Sequence, residues 1–261
     1  SEANLTEANL DNANLSKAEL NGADLSKALL RNVNFDNANL AEAKLTDANL
    51  RGAILIKADL SQANLTNADL SDANLSNANL RGADLSHTNF SRANLSGADL
   101  SGANLGKATF ENANMSSANL SGANLNHAFI KKADLENANL SQTDLLNANL
   151  FEANLAGANL SDSYLSGVDL RGANLSNAIL IQTYLHKADL RGANLSDADL
   201  NGANLKQAQL IGADLDNSNL IQADLSDANL SSASMQGVKG LKQAILCNTQ
   251  MPRGQANDDC K

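Results

Sequence analysis

Residues Ala193–Leu205 read ANLSDADLNGANL: a small residue, a polar residue, a leucine and two more polar or small residues, then the same again. Outward from this stretch, every fifth residue from Leu5 to Met235 is apolar. Of these 47 positions 41 are Leu, and the others are Phe35, Phe90, Phe110, Met115, Ile130 and Met235. Two residues before each of them, 40 of the 47 positions are Ala. The seven departures (Val33, Thr88, Thr143, Ser163, Val168, Thr183 and Ser218) are all small. No insertion or deletion interrupts the frame.

A period of five suits neither regular element. A helix of 3.6 residues per turn scatters Leu5, Leu10 and Leu15 around its axis. A strand alternates faces every residue, so successive fifth residues point opposite ways. The pattern is met if the chain turns a corner once per five residues. Four sides then close a coil of twenty residues, with Leu filling the axis and a small residue where the backbone bends around it. The three remaining positions face water and collect Asn, Asp, Ser, Gly and Lys.

Composition agrees. Among 261 residues 43% are hydrophobic, yet only 3% are aromatic, with no Trp and one Pro. An ordinary globular core, normally dominated by large aromatics, is excluded. The regular recurrence of Leu and Ala excludes a disordered chain. No run approaches ~18 consecutive apolar residues, so no membrane-spanning helix is expected. A net charge of −10 disfavours direct nucleic-acid binding through phosphate contacts.

The Ala-(Asn/Asp)-Leu-X-X consensus over residues 1–235 resembles the pentapeptide repeat family. The resemblance implies an all-β, right-handed quadrilateral β-helix, or solenoid, with 20 residues per coil. After the uninterrupted frame of 1–235, QGVKGL carries one extra residue, which predicts a bulge at 236–241. Two shifted repeats follow at 242–251, giving a β-helix over 1–251 of about twelve coils. At ~4.8 Å per layer the rod is roughly 60 Å long. Pro252 cannot donate a ladder hydrogen bond, so 252–261 read as a capping tail.

Several surface residues stand out on the twenty-residue wheel. Arg31, Arg51, Lys131, Arg171 and Arg191 share one column, a basic stripe on an acidic rod. The simpler reading is solvated charge balancing the acidic positions. Tyr164 and Tyr184 fall in adjacent coils at the position before Leu, and Phe129 and Phe151 also point outward. These mark a candidate partner surface, against ordinary cross-strand pairing of aromatics. His87 and His127 share a column two coils apart with Lys107 between them, a poor arrangement for a metal. No nucleophile–base pair, phosphate loop or cavity is predicted, so an enzyme, a cofactor and a metal site are not expected.

Cys247 falls at an outward position, and Cys260 follows in the tail. A bridge between them is expected to contribute about 3 kcal/mol and pin the terminal coil. The competing reading is two thiols in a reducing compartment. The segment LCNTQMPRGQANDDC resembles the tails of exported cyanobacterial pentapeptide proteins and their thylakoid-lumen relatives in plants. That resemblance implies the periplasm or thylakoid lumen, with the cytoplasm as the alternative. The chain opens inside a repeat at Ser1, which reads as a processed product lacking its export signal.

The expected function is a non-enzymatic scaffold that binds an unidentified protein partner, acting as a monomer or through end-to-end contact. The alternative is an acidic DNA mimic that binds a type II topoisomerase such as gyrase, as some members of the family do. Against it, those relatives carry projecting loops, and this chain has none in 47 units.

Overall fold

A computed structural model describes residues 3–256. Its logic is visible in one unit, Ser121–Leu125, where every backbone N–H finds an acceptor. Leu125 donates forward to the Asp144 carbonyl (2.7 Å), and Asn124 donates back to Ala103 (3.0 Å). Gly122 donates to Ser141 and Ala123 to Leu120, both at 2.9 Å. The fifth donor, Ser121 N–H, is met by the side chain of Asn119 at 3.2 Å. Of the four backbone pairs only Ala123 to Leu120 lies within the turn, so most donors along a face are satisfied by neighbouring coils.

Parallel bridges connect each outward residue to the one twenty positions on, from Asn4–Asp24 through Asn219–Lys239. Four units therefore bring the chain back over its starting face, and the result is a β-helix. Each corner is a four-residue turn closed by a bond such as Ala123 N–H to Leu120 C=O. The second residue of every unit, from Glu7 to Gly237, has positive φ, for example 58° at Glu7 and 66° at Gly122. Positive φ at the third residue of a turn is the mark of type II. Asn and Asp tolerate it better than most residues, and glycine adopts it without penalty.

The core is two sets of columns. From Ala23 to Leu230, the small and large inward positions are buried, nearly all at 0–1% exposure. Phe90 and Phe110, one coil apart in the same column, stack inside the rod with ring centroids 4.9 Å apart and planes 4° from parallel. Leu5, Leu10, Leu15 and Leu20 in the first coil are only partly buried.

Beyond Lys239 the register changes. Asp224 bridges Ile245 and Asn229 bridges Gln250, twenty-one positions on instead of twenty. The extra residue is taken up in a wider turn, where the Ala244 and Gln243 N–H groups both donate to the Gly240 carbonyl (3.1 and 2.9 Å). Gly240 has φ +75°, and a Cβ there would stand 2.5 Å from the backbone nitrogen of Ile221. Only glycine fits. The chain then forms strand β1 (Thr249–Met251), reverses at Pro252 and Arg253, and pairs antiparallel as β2 (Gly254–Ala256). Among the described residues, no helix is long and apolar enough to cross a membrane.

Candidate interaction surface

One part of the rod departs from the repeat both outside and inside. Tyr164 and Tyr184 bridge each other in adjacent coils, and their rings stack with centroids 4.9 Å apart, 9° from parallel. Tyr164 is 53% exposed, as is Phe129 on the next face. Beneath the tyrosine face, Thr143, Ser163 and Thr183 replace alanine in three consecutive coils and are fully buried. Their hydroxyls are satisfied by corner carbonyls: Thr143 and Ser163 donate to Leu140 (2.7 and 2.6 Å), and Thr183 to Leu160 (2.9 Å). These inward hydroxyls add anchoring bonds where the aromatic side chains project, each worth about 1 kcal/mol.

Phe151, read as outward from the sequence, lies between two cations. Lys131 Nζ lies 5.8 Å from its ring centroid and Arg171 Cζ lies 5.4 Å from it, one coil away in each direction. The ring is half-buried between two cations, each contact worth roughly 0.5–1 kcal/mol at an exposed site. Arg171 also grips Asp169 through Nε and Nη2, both at 2.8 Å, and Arg191 holds Asp189 at 2.8 and 2.6 Å. The Asp169 carboxyl is held below the usual carboxylate range by its Arg171 hydrogen bond, and Asp189 likewise by Arg191. The one place where two carboxylates stack is therefore neutralised.

The basic column is not a continuous stripe. Arg51 lies four coils from Lys131 and Arg31 five, with Ser71, Ser91 and Glu111 occupying the same column between Arg51 and Lys131. The reason is that a shared column fixes a corner of the rod, not a height along it. Arg31 is closed onto Asp11, which accepts its backbone N–H (2.8 Å), Nε (2.9 Å) and Nη2. Asp72 is gripped by Arg92 through Nε (2.7 Å) and Nη2 (2.9 Å), and Arg51 Nε stands 3.3 Å from it.

Leu146 and Ile179 are also exposed. Leu146 escaped the sequence reading, though a leucine off the five-residue frame was the available signal. Among the described residues, five of the nine exposed large hydrophobics (Phe129, Leu146, Tyr164, Ile179 and Tyr184) fall within 129–184, less than a quarter of the chain. Among the described residues, no group of three His, Cys, Asp or Glu side chains is placed to hold a metal. Cys247 is half-buried, and its carbonyl accepts the Asp227 N–H at 2.8 Å. Its expected partner, Cys260, lies outside the described residues.

Eight copies of the model for pentapeptide repeats match the chain between residues 1 and 239. None of the curated proteins matches it. Among solved structures, the chain is 39% identical to HetL, a pentapeptide repeat protein involved in heterocyst differentiation regulation from the cyanobacterium Nostoc sp. strain PCC 7120. That match covers 84% of this chain and 92% of HetL, with a TM-score of 0.37. QnrB1, a plasmid-mediated fluoroquinolone resistance protein, is 21% identical over 77% of this chain and 90% of its own, with a TM-score of 0.37. A pentapeptide repeat protein of the Arabidopsis thaliana thylakoid lumen is 30% identical, over 34% of this chain and 63% of its own, with a TM-score of 0.19. With the five-residue frame and the model matches running over nearly the whole rod, the chain belongs to the pentapeptide repeat family.

Proposed function

We propose that this protein is a non-enzymatic scaffold, a right-handed four-sided β-helix of about twelve coils that presents one differentiated surface to a protein partner. The observation that carries this reading is the exposed, stacked pair Tyr164 and Tyr184, with exposed Phe129 on the next face and Ile179 on the one before it. Tyrosine supplies large contact area at low conformational cost, and aromatic anchors dominate binding energy at protein interfaces. Phe151, clasped by Lys131 and Arg171, adds a rigid basic margin with Arg191 beside it.

The test compares a tagged wild-type chain with a Phe129→Ser/Tyr164→Ser/Tyr184→Ser variant in the source cells. Proteins retained by the wild type should be lost by this variant and kept by a Leu29→Ser/Ile54→Ser control. Equal retention by all three would overturn the reading. Inhibition of gyrase supercoiling by the purified protein would favour the acidic DNA mimic instead. Its carboxylates argue against that role, because Asp11, Asp72, Asp169 and Asp189 are already occupied by arginines.

The same reading places the protein in the periplasm or thylakoid lumen, with a Cys247–Cys260 bridge pinning the last coil. Intact mass before and after reduction and alkylation tests the bridge. Two alkylatable thiols in non-reduced material would remove the chemical argument for export.

A further inference from the structure

The second cationic cluster lies apart from the aromatic surface and has a notch in it. Along the corner of the rod the side chains run Asn12, Asn32, Gly52, Asp72, Arg92 in successive coils. Gly52 contributes no side chain, and a Cβ there would stand 2.5 Å from Asn32 Oδ1. The result is a cleft of about 360 Å³ bounded by Arg31, Asn32, Arg51, Gly52 and Asp72.

The two arginines differ in how they are occupied. Arg31 and Arg51 stack in adjacent coils, a like-charge arrangement that ordinarily costs stability. Arg31 is closed onto Asp11 by its backbone and side chain. Arg51 is 60% exposed and comes no closer to a carboxylate than 3.3 Å. Asp72, on the far wall, already has both oxygens bound by Arg92. Arg51 Nε pairs with Asp72 at 3.3 Å, a longer contact than the two that Arg92 makes with the same carboxylate. Three arginines thus share two aspartates. The next anion, Asp69, has its Oδ1 taken by the Ser71 N–H and Asn89 Nδ2.

We propose that the Gly52 notch is a carboxylate-binding site, in which an acidic side chain of a partner peptide is taken bidentately by Arg51, with Arg31 beside it. A planar guanidinium fork matches a carboxylate in geometry and charge. With Asp72 on the far wall of the cleft, a monoanion meets less repulsion than a doubly charged phosphate. The proposal rests on the scaffold reading only in assigning the carboxylate to a protein partner. Titration with small probes tests the site directly, and the retention experiment above tests the scaffold.

The experiment follows arginine Nε–Hε signals of the full chain by NMR at low salt. The probes are an acetylated, amidated glutamate octapeptide, glutarate and inorganic phosphate. The Arg51 signal, identified by its disappearance in Arg51→Lys, should move saturably with the peptide and with glutarate, while Arg171 and Arg191 stay in place. Arg51→Lys should weaken peptide binding by about tenfold, and Arg51→Gln should abolish it with the Arg171 signal unchanged. Equal movement of all exposed arginines, or none at Arg51, would overturn the site. Tighter saturation by phosphate than by glutarate would overturn its assignment to a carboxylate.

Discussion

Asn119 Oδ1 accepts the backbone N–H of Ser121 at 3.2 Å, closing a short local loop around the inward Leu120. The same contact recurs around the rod, as in Asp24 to Ser26 at 3.0 Å and Asn174 to Ser176 at 3.2 Å. In such units it fills the one backbone donor left by the turn and by the backbone of the neighbouring coil, whereas at Arg31 the Asp11 side chain one coil back takes that place. Asn119 Nδ2 also donates to Asp99 Oδ1 at 3.0 Å, and its Oδ1 accepts from Asn139 Nδ2 at 3.1 Å.

Asn119→Ala should therefore cost about 1 kcal/mol, because the Ser121 donor loses its partner. Asn119→Asp keeps that acceptor and loses only the donation to Asp99, adding one like-charge contact of a few tenths of a kcal/mol. Urea midpoints should fall in the order wild type, Asp, Ala. An Asp variant less stable than Ala would show that the ladder between coils outweighs the local turn.

Leu120 is fully buried, and its neighbours in the column offer no partner to a carboxylate. Leu120→Asp should destabilise by more than about 4 kcal/mol, against 2–5 kcal/mol for Leu120→Ala. Thermal midpoints check this, and equal midpoints for Leu120→Asp and Asn119→Asp would refute the division into inward and outward positions.

Asp169 and Asp189 titrate below the ordinary value of 3.8 because Arg171 and Arg191 hydrogen-bond their carboxylates. Folded values below unfolded ones mean that this stabilisation is present above the unfolded pKa. It is lost as the pH falls below 3.8 through the lowered folded values. The difference in unfolding free energy between wild type and Asp169→Asn/Asp189→Asn should be at most about 1 kcal/mol per site. It should stay constant from neutral pH to about pH 5 and shrink below 3.8. A difference that vanishes already at pH 6 would assign it to other groups.

Gly240→Ala forces a Cβ against Ile221 at a positive φ. A local cost of about 1–3 kcal/mol is expected. Because coupling along a solenoid passes only between neighbours, the loss should appear first after residue 240. Hydrogen exchange should accelerate at Ile245 and Gln250, which donate back to Ala223 and Ala228 at 2.9 Å, while Leu120 keeps its protection. Uniform acceleration along the rod would contradict local coupling.

The Leu and Ala columns were legible in the sequence because their period of five survives 47 units without a slip. The turn geometry was equally present and went unread. Thirteen of the sixteen glycines, Gly22 and Gly122 among them, occupy the second position of a unit, where φ is positive. The role of the Asn/Asp position was half legible. Stacking between coils followed from the twenty-residue spacing, but the bond to the residue two ahead depends on corner geometry, which periodicity does not contain. For Phe151, the column placed it between Lys131 and Arg171, yet only side-chain conformation shows both cations over its ring.

The one-residue offset at Gly240 changes what kinds of length variation the gene can tolerate. Ahead of it, layers share one phase, so loss or gain of twenty codons leaves the next layer with an equivalent seat. The segment after Gly240 is out of phase with all of those layers and carries its own wider corner. It works as a keyed terminus: the body of the rod can be lengthened or shortened in whole steps, while the piece that follows keeps one fixed docking geometry.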